Sequence, residues 1–256
     1  MKATKLLKFS DPNSKLGKLR EKGYRIATFS LPAGWSCPAA MMCKAKVTRE
    51  GKLTDGASVQ FRCFAASDEA QYRETRDQRW HNFDLLKGLD TDAMARLIGE
   101  SLPKNANAIR IHVSGDFYNP QYFLAWCKVA SQHPDVIFYA YTKSIHIWVA
   151  NRDRVPSNLV LTGSFGGFYD HLIGEHNLKS ARVVFSIDGA KGLPIDHDDT
   201  HAMDKDCHAF ALLVHHTQPK GSEASKAVQA LKGLGSYSTN QLVNRQRAEL
   251  VDSIAA

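Results

Sequence analysis

Cys37, Cys43 and Cys63 fall between Pro32 and Ala66, in a long stretch with no regular apolar pattern. Thiolates are the ligands that iron–sulfur clusters require, and a run of this length without structure of its own inside a compact domain is usually functional or disordered. The frame is C-x5-C-x19-C, with Pro38 directly after Cys37. Zinc is the rival, although its structural sites favour close C-x2–4-C pairs, and three unliganded small apolar thiols are the bland alternative. The pattern points to an iron–sulfur cluster on Cys37, Cys43 and Cys63. Cys207, in the acidic and histidine-rich run from Asp196 to His208, is a candidate fourth ligand. With it the cluster is coordinatively complete and suits electron transfer; without it one iron stays open to a ligand. Cys127, beside Trp126 on the apolar stripe of a predicted helix, belongs to the core.

The elements that must position these groups show as six apolar, β-branched or aromatic runs: residues 24–31, 109–113, 136–141, 159–162, 182–187 and 210–214. From the second onward they recur about every 25 residues, with helical or turn-forming sequence between them. Strands alternating with helices predict an α/β fold, and near-continuous apolar strands predict a parallel sheet covered on both faces. Predicted helices cover residues 69–86, 91–101, 121–132, 222–231 and 239–254. One α/β domain is expected over 1–256: the first strand and cysteine loop (24–66), the βα units (108–220) and C-terminal helices (221–256).

Polar groups follow each strand: Ser114-Gly115-Asp116, Thr142-Lys143-Ser144, Gly163-Ser164, Asp188-Gly189 and His215-His216-Thr217. In parallel α/β folds the carboxyl ends of the strands form the face that binds ligands. Asp116, Lys143 and His215 are therefore the candidate catalytic groups, and Ser114, Gly115, Asp116 and Thr142 the candidate cofactor-binding ones. His112 would stand behind them as a proton-handling neighbour.

Two resemblances attach to these residues. Leu31-Pro32 followed by Cys37-Pro38 and Cys43, then Arg110-Ile111-His112-Val113-Ser114-Gly115-Asp116-Phe117, then Phe138-Tyr139-Ala140-Tyr141-Thr142-Lys143-Ser144, resemble the phage proteins grouped with mycobacteriophage gene product 88. That likeness implies a phage-encoded protein working in the host cytoplasm. The six strands with a cysteine loop after the first are similar to the partial (βα)6, TIM-like barrel of radical S-adenosylmethionine enzymes. This second likeness implies a [4Fe–4S] cluster on three cysteines after the first strand, and S-adenosylmethionine as a second cofactor met by a segment in the place of Ser114-Gly115-Asp116. The spacing differs from the C-x3-C-x2-C usual in those enzymes.

Composition narrows the remaining classes. With 43% hydrophobic residues over 256 positions the chain can build a core without disulfides, and no apolar run approaches membrane-spanning length. The opening Met1-Lys2-Ala3-Thr4-Lys5-Leu6-Leu7-Lys8 breaks its apolar residues with lysines, so a cytoplasmic protein with no membrane partner is expected. A redox role would need an electron donor and a small-molecule ligand. The net charge of +7 keeps a nucleic-acid-binding protein with a structural metal as an alternative. A hydrolase using Asp116, Asp188, His201 and His215 around a divalent ion is the third.

Overall fold

The computed structural model describes residues 6–232; the predicted helix at 239–254 lies outside them. Six strands form one sheet: β1 (Ile26–Ser30), β4 (Ala108–Ser114), β5 (Ile137–Thr142), β6 (Leu159–Ser164), β7 (Ser180–Val184) and β8 (Ala209–Leu213). Every pairing between these neighbours is parallel, and their order in space is their order in the chain. The predicted α/β class with parallel strands is what the chain adopts.

Alternation along the strands divides the sheet into two faces. Ala27, Phe29, Ile109, Ile111, Phe138, Ala140, Leu159 and Leu161 are buried against α4 (Thr91–Ser101), α5 (Pro120–Gln132), α6 (Ile145–Ala150) and α7 (His171–Glu175). Ile26, Ala108, Tyr139, Val160, Ala181 and Phe210 point the other way, onto Leu16 of α1 (Ser14–Gly17), Leu19, and Ala202 and Met203 of α8 (Thr200–Met203). Both sheet edges are covered, which removes the unpaired backbone that invites aggregation. Ser10 exchanges two backbone hydrogen bonds of 2.9 Å with Thr28, and Ile195 runs parallel to Ala211. Beyond β8, α9 (Glu223–Ala230) helps to close a side cluster that also takes Ala211 and Leu213.

Helix boundaries follow their caps. The Asp90 side chain accepts from Ala93 N at 2.8 Å, and Asn119 accepts from Tyr122 N at 2.8 Å ahead of a first-turn Pro120. Three elements differ from the sequence expectation. The single helix at 69–86 is two, α2 (Phe64–Gln71) and α3 (Arg73–Leu86), because Tyr72 takes an extended conformation (φ −113°, ψ 108°). That break turns α3 so that Arg76 and Arg79 donate to the carbonyls of Glu69 and Ala65. The fifth strand of the sheet ends at Val184, since Phe185 and Ile187 pack into the side cluster rather than extending the ladder. The cysteine stretch holds a hairpin of β2 (Ala45–Val47) and β3 (Leu53–Asp55), with a small core of Ala33, Ala45, Val47, Ala65 and Ala66.

Candidate functional site

Backbone ties set the path of the cysteine loop. Gly34 has φ +71°, and a Cβ there would lie 2.2 Å from the Ala45 carbonyl oxygen, so only glycine fits. Met41 N and Met42 N donate to the Gly166 carbonyl at 3.1 and 2.9 Å, fastening the loop to the end of β6. Gln60 N donates to the Met42 carbonyl at 2.8 Å, drawing the third cysteine toward the first two. Arg62 N donates to Gln218 Oε1 at 2.7 Å, and Gln218 Nε2 returns to the Arg62 and His215 carbonyls at 3.1 and 2.8 Å. The loop after β1 is thereby joined to the chain after β8.

Cys37, Cys43 and Cys63 consequently line one cavity of about 180 Å³ at the carboxyl ends of the strands, with Ser114, Gly115, Asp116, Thr142, Lys143 and His215. Burial pushes the Cys37 and Cys63 thiols upward; the Asp116 carboxylate adds to the first shift and Cys43 to the second. Such thiols stay protonated until a metal displaces the proton. Cys63 is also the residue before α2, and the Ala65 and Ala66 amides partly offset its shift.

The candidate catalytic groups are bound to one another across strand ends. Asp116 is buried; its Oδ1 accepts from Thr142 Oγ1 at 2.6 Å and Phe117 N at 2.7 Å, and its Oδ2 from Lys143 N at 2.8 Å. Burial raises the Asp116 carboxyl, and these donors hold the rise back. Lys143 Nζ donates to Ser164 Oγ, Ser164 O and Phe165 O at 2.6, 3.0 and 2.7 Å. Asp116 and Lys143 thus brace β4, β5 and β6 at the wall of the cavity. His215 lies tilted against Phe64 with ring centres 5.1 Å apart, and its Nδ1 lies 2.9 Å from the Leu213 carbonyl oxygen.

Cys207 is not with the others. It precedes β8, at the amino end of the sheet, and its carbonyl caps Lys179 Nζ; the fourth ligand expected from the sequence is not placed on this cavity. A residue just ahead of a parallel strand lies at the opposite pole from one just after it. His201 is also away from the cavity, 3.5 Å from Asp196 beside α8, and Asp188 sits in a short helical turn after β7. The set Asp116, Asp188, His201 and His215 is therefore not assembled. Among the described residues no three His, Cys, Asp or Glu side chains are arranged to hold a single metal ion.

Two buried ion pairs escaped the sequence. Glu69 Oε1 accepts from Arg79 Nη1 and Ala33 N, each at 2.8 Å, and from Ser114 Oγ at 3.1 Å, linking the cysteine loop, α3 and β4. Arg110 pairs with Asp199 at 2.6 Å, and both line the cavity. Only Arg110 left a signal, a charge between Ile109 and Ile111 in an apolar strand.

Fold and cavity together define an α/β protein with a sequentially ordered parallel sheet and a three-thiol pocket at the carboxyl ends of its strands. The chain belongs to the Gene product 88 family, whose model matches residues 5–231. It is 32% identical over 127 residues to the Gene 88 protein of Mycobacterium phage L5, and 31% identical over 127 residues to that of Mycobacterium phage D29. Each match covers 45% of this chain and 47% of the relative, so about half of each curated relative is spanned. No solved structure matches. Among the described residues no helix is long and apolar enough to cross a membrane.

Proposed function

We propose that this chain is a phage-encoded iron–sulfur protein in which Cys37, Cys43 and Cys63 hold a [4Fe–4S] cluster beside a small-molecule pocket, with a redox role. The observation that carries the proposal is the meeting of three thiols, far apart in the C-x5-C-x19-C frame, on one cavity at the ligand-binding end of a parallel sheet. The donor set suits the group: all-thiolate sites are soft and select clusters over hard divalent ions. A single ion needs its ligands packed around one point, whereas a cluster spreads its thiolates over separate irons and brings its own sulfide. Cys127 is buried and Cys207 lies at the other pole, so three protein thiolates leave a four-iron cluster one protein ligand short. When bound, such a cluster supplies one-electron transfer, and an external electron donor is then required.

The sequential parallel order and the Arg62–Gln218 link between the chain after β1 and the chain after β8 support the finer architecture, a curved partial (βα)6 barrel similar to that of radical S-adenosylmethionine enzymes. Fold likeness does not confer that chemistry. The Asp116 carboxylate already receives three donors, so Ser114-Gly115-Asp116 here braces the pocket, and S-adenosylmethionine enters as a ligand to be tested. The experiment is anaerobic purification with iron, sulfide and zinc analysis and electron paramagnetic resonance of the reduced sample, before and after adding S-adenosylmethionine. About four irons and four sulfides per chain with a cluster signal support the proposal; zinc alone, or no metal after reconstitution with iron and sulfide, defeats it. A signal changed by S-adenosylmethionine extends the proposal to cluster-based catalysis, and an unchanged one restricts it to electron transfer.

A further inference from the structure

Trp35 and Trp80 form an aromatic surface that is not part of the thiol cavity. Trp35 is 44% exposed, although tryptophan is on average among the better covered side chains. Its position is fixed all the same. The indole N–H donates to the Val47 carbonyl of β2 at 2.9 Å, and the ring centre is 5.7 Å from that of half-buried Trp80 on α3. Phe83, one helical turn further on, continues the row with its ring centre 6.0 Å from Trp80.

Each ring carries a cation. Lys46 Nζ lies 4.6 Å from the centre of Trp35, the Arg49 guanidinium 4.1 Å from that of Trp80, and Lys87 Nζ 5.9 Å from that of Phe83. The negative face of an aromatic ring attracts a cation in this position. Arg49 and Lys87 share one carboxylate, Asp84, at 2.8 Å each, and all three of these side chains are more than one-third exposed. Buried Arg76 adds positive charge beneath them, donating to the Arg49 and Glu69 carbonyls, and Glu50 is the other acid close to Arg49. Four cations therefore stand against two carboxylates around these rings.

The pairing of ring and cation says what partner fits. An apolar surface would have to bury the charges without neutralising them. An acidic protein face would neutralise them but offer the exposed indole no planar partner. A nucleic-acid single strand supplies both, phosphates at regular spacing and bases with open π-faces, whereas a duplex keeps those faces closed in its stack. Lysine and arginine head groups swing on flexible stems, so a cation resting over a ring can turn to a phosphate and uncover the ring for a base. We propose that this surface binds single-stranded nucleic acid, with a base stacked on Trp35 and the flanking phosphates taken by Lys46, Arg49 and Lys87. The inference goes beyond the cluster proposal and does not rest on it.

The test is fluorescence anisotropy of an end-labelled oligothymidylate of about twelve nucleotides, titrated with the full chain between about 50 and 200 mM salt. Wild type is expected to bind, with an affinity that falls as salt rises. Trp35→Ala is expected to bind about tenfold more weakly at an unchanged salt slope, and Trp35→Phe to recover part of the loss, as a stacked base requires. Lys46→Ala, Arg49→Ala and Lys87→Ala together are expected to flatten the slope of log affinity against log salt by about 2. These three exposed changes leave the tryptophans in place, so they test the surface even where Trp35→Ala disturbs the loop. No binding at about 50 mM salt, or binding that either set of changes leaves as it was, overturns the proposal. A duplex or inorganic polyphosphate that binds as tightly as the single strand also overturns it, and polyglutamate that competes equally well assigns the surface to an acidic protein instead. The titration is run on metal-free and iron-loaded chains. Binding without iron in the loaded sample defeats the cluster alone, and a cluster without binding defeats this inference alone.

Discussion

Thr142 Oγ1 lies 2.6 Å from Asp116 Oδ1 and joins the carboxyl ends of β5 and β4 beneath the cysteine loop. The next residue continues the tie, since Lys143 N donates to Asp116 Oδ2 and Lys143 Nζ reaches Ser164 on β6. Side chains placed as if for catalysis fix the relative positions of three strand ends, on which the shape of the thiol cavity depends.

Replacing Thr142 by Val removes one hydrogen bond to a buried carboxylate and is expected to cost about 1.5–3 kcal/mol in urea unfolding, with the denaturant slope unchanged. The loss has a pH signature. The Asp116 carboxyl is raised in the folded protein, so its contribution is fully present below the usual carboxylate value and is lost as pH rises through the raised one. Thr142 is the largest influence holding that rise back. The variant should therefore lose more relative to wild type at neutral pH than in acid; an equal loss at both would show that Thr142 does not act on the carboxylate.

His112 predicts the opposite slope. Its folded pKa is depressed to about 3 from 6.5, so the stability it contributes is present above 6.5 and is lost as pH falls toward 3, where the unfolded chain takes the proton first. Over that window wild type should lose a few kcal/mol more than His112→Gly, on the order of 1.4 kcal/mol per pH unit at most. Parallel curves for the two proteins would place the ring in contact with water.

Gly115 carries φ +96°, and a Cβ there would stand 2.7 Å from Ser36 Oγ and 2.8 Å from Leu31 Cβ. Gly115→Ala should destabilise the protein by about 2 kcal/mol or more, from left-handed strain plus the clash. Because Ser36 precedes Cys37, the variant should also hold less iron after reconstitution. Wild-type stability and wild-type iron together would deny that this glycine seats the loop.

The sheet was legible because each of its strands is a short apolar run bounded by turns, and because period-two burial holds from Ala27 to Leu161. The gathering of Asp116, Lys143, His215 and three cysteines was legible too, since residues just after parallel strands share one pole. Cys207 does not join them because it precedes β8, after a crossing segment whose acidic residues carry no periodic signal. The break at Tyr72 and the Glu69–Arg79 pair depend on how α3 folds back against α2, a tertiary contact without a local pattern. The sequence likewise carries no mark of the hydrogen bonds by which Asp116 and Lys143 join the ends of β4, β5 and β6.

The Arg110–Asp199 pair at the cavity wall should be strongly coupled. Arg110→Met alone is expected to cost about 3–5 kcal/mol, because it takes the guanidinium from a carboxylate with no exposed surface. Adding Asp199→Asn, which tolerates the φ of +65° at that position, should recover much of the loss. A double-mutant cycle in urea measures the coupling directly, and additive effects would mean that the pair does not act as one unit.

The most direct measurement is iron and sulfide content after anaerobic reconstitution, compared side by side in wild type and in Cys37→Ser, Cys43→Ser, Cys63→Ser and Cys207→Ser. Wild type and Cys207→Ser should carry the same cluster, about four irons and four sulfides per chain, and each of the other three should lose most of the iron and the visible colour. Iron retained in all three cavity variants, or lost only in Cys207→Ser, would contradict a cluster held by the thiols that line this cavity.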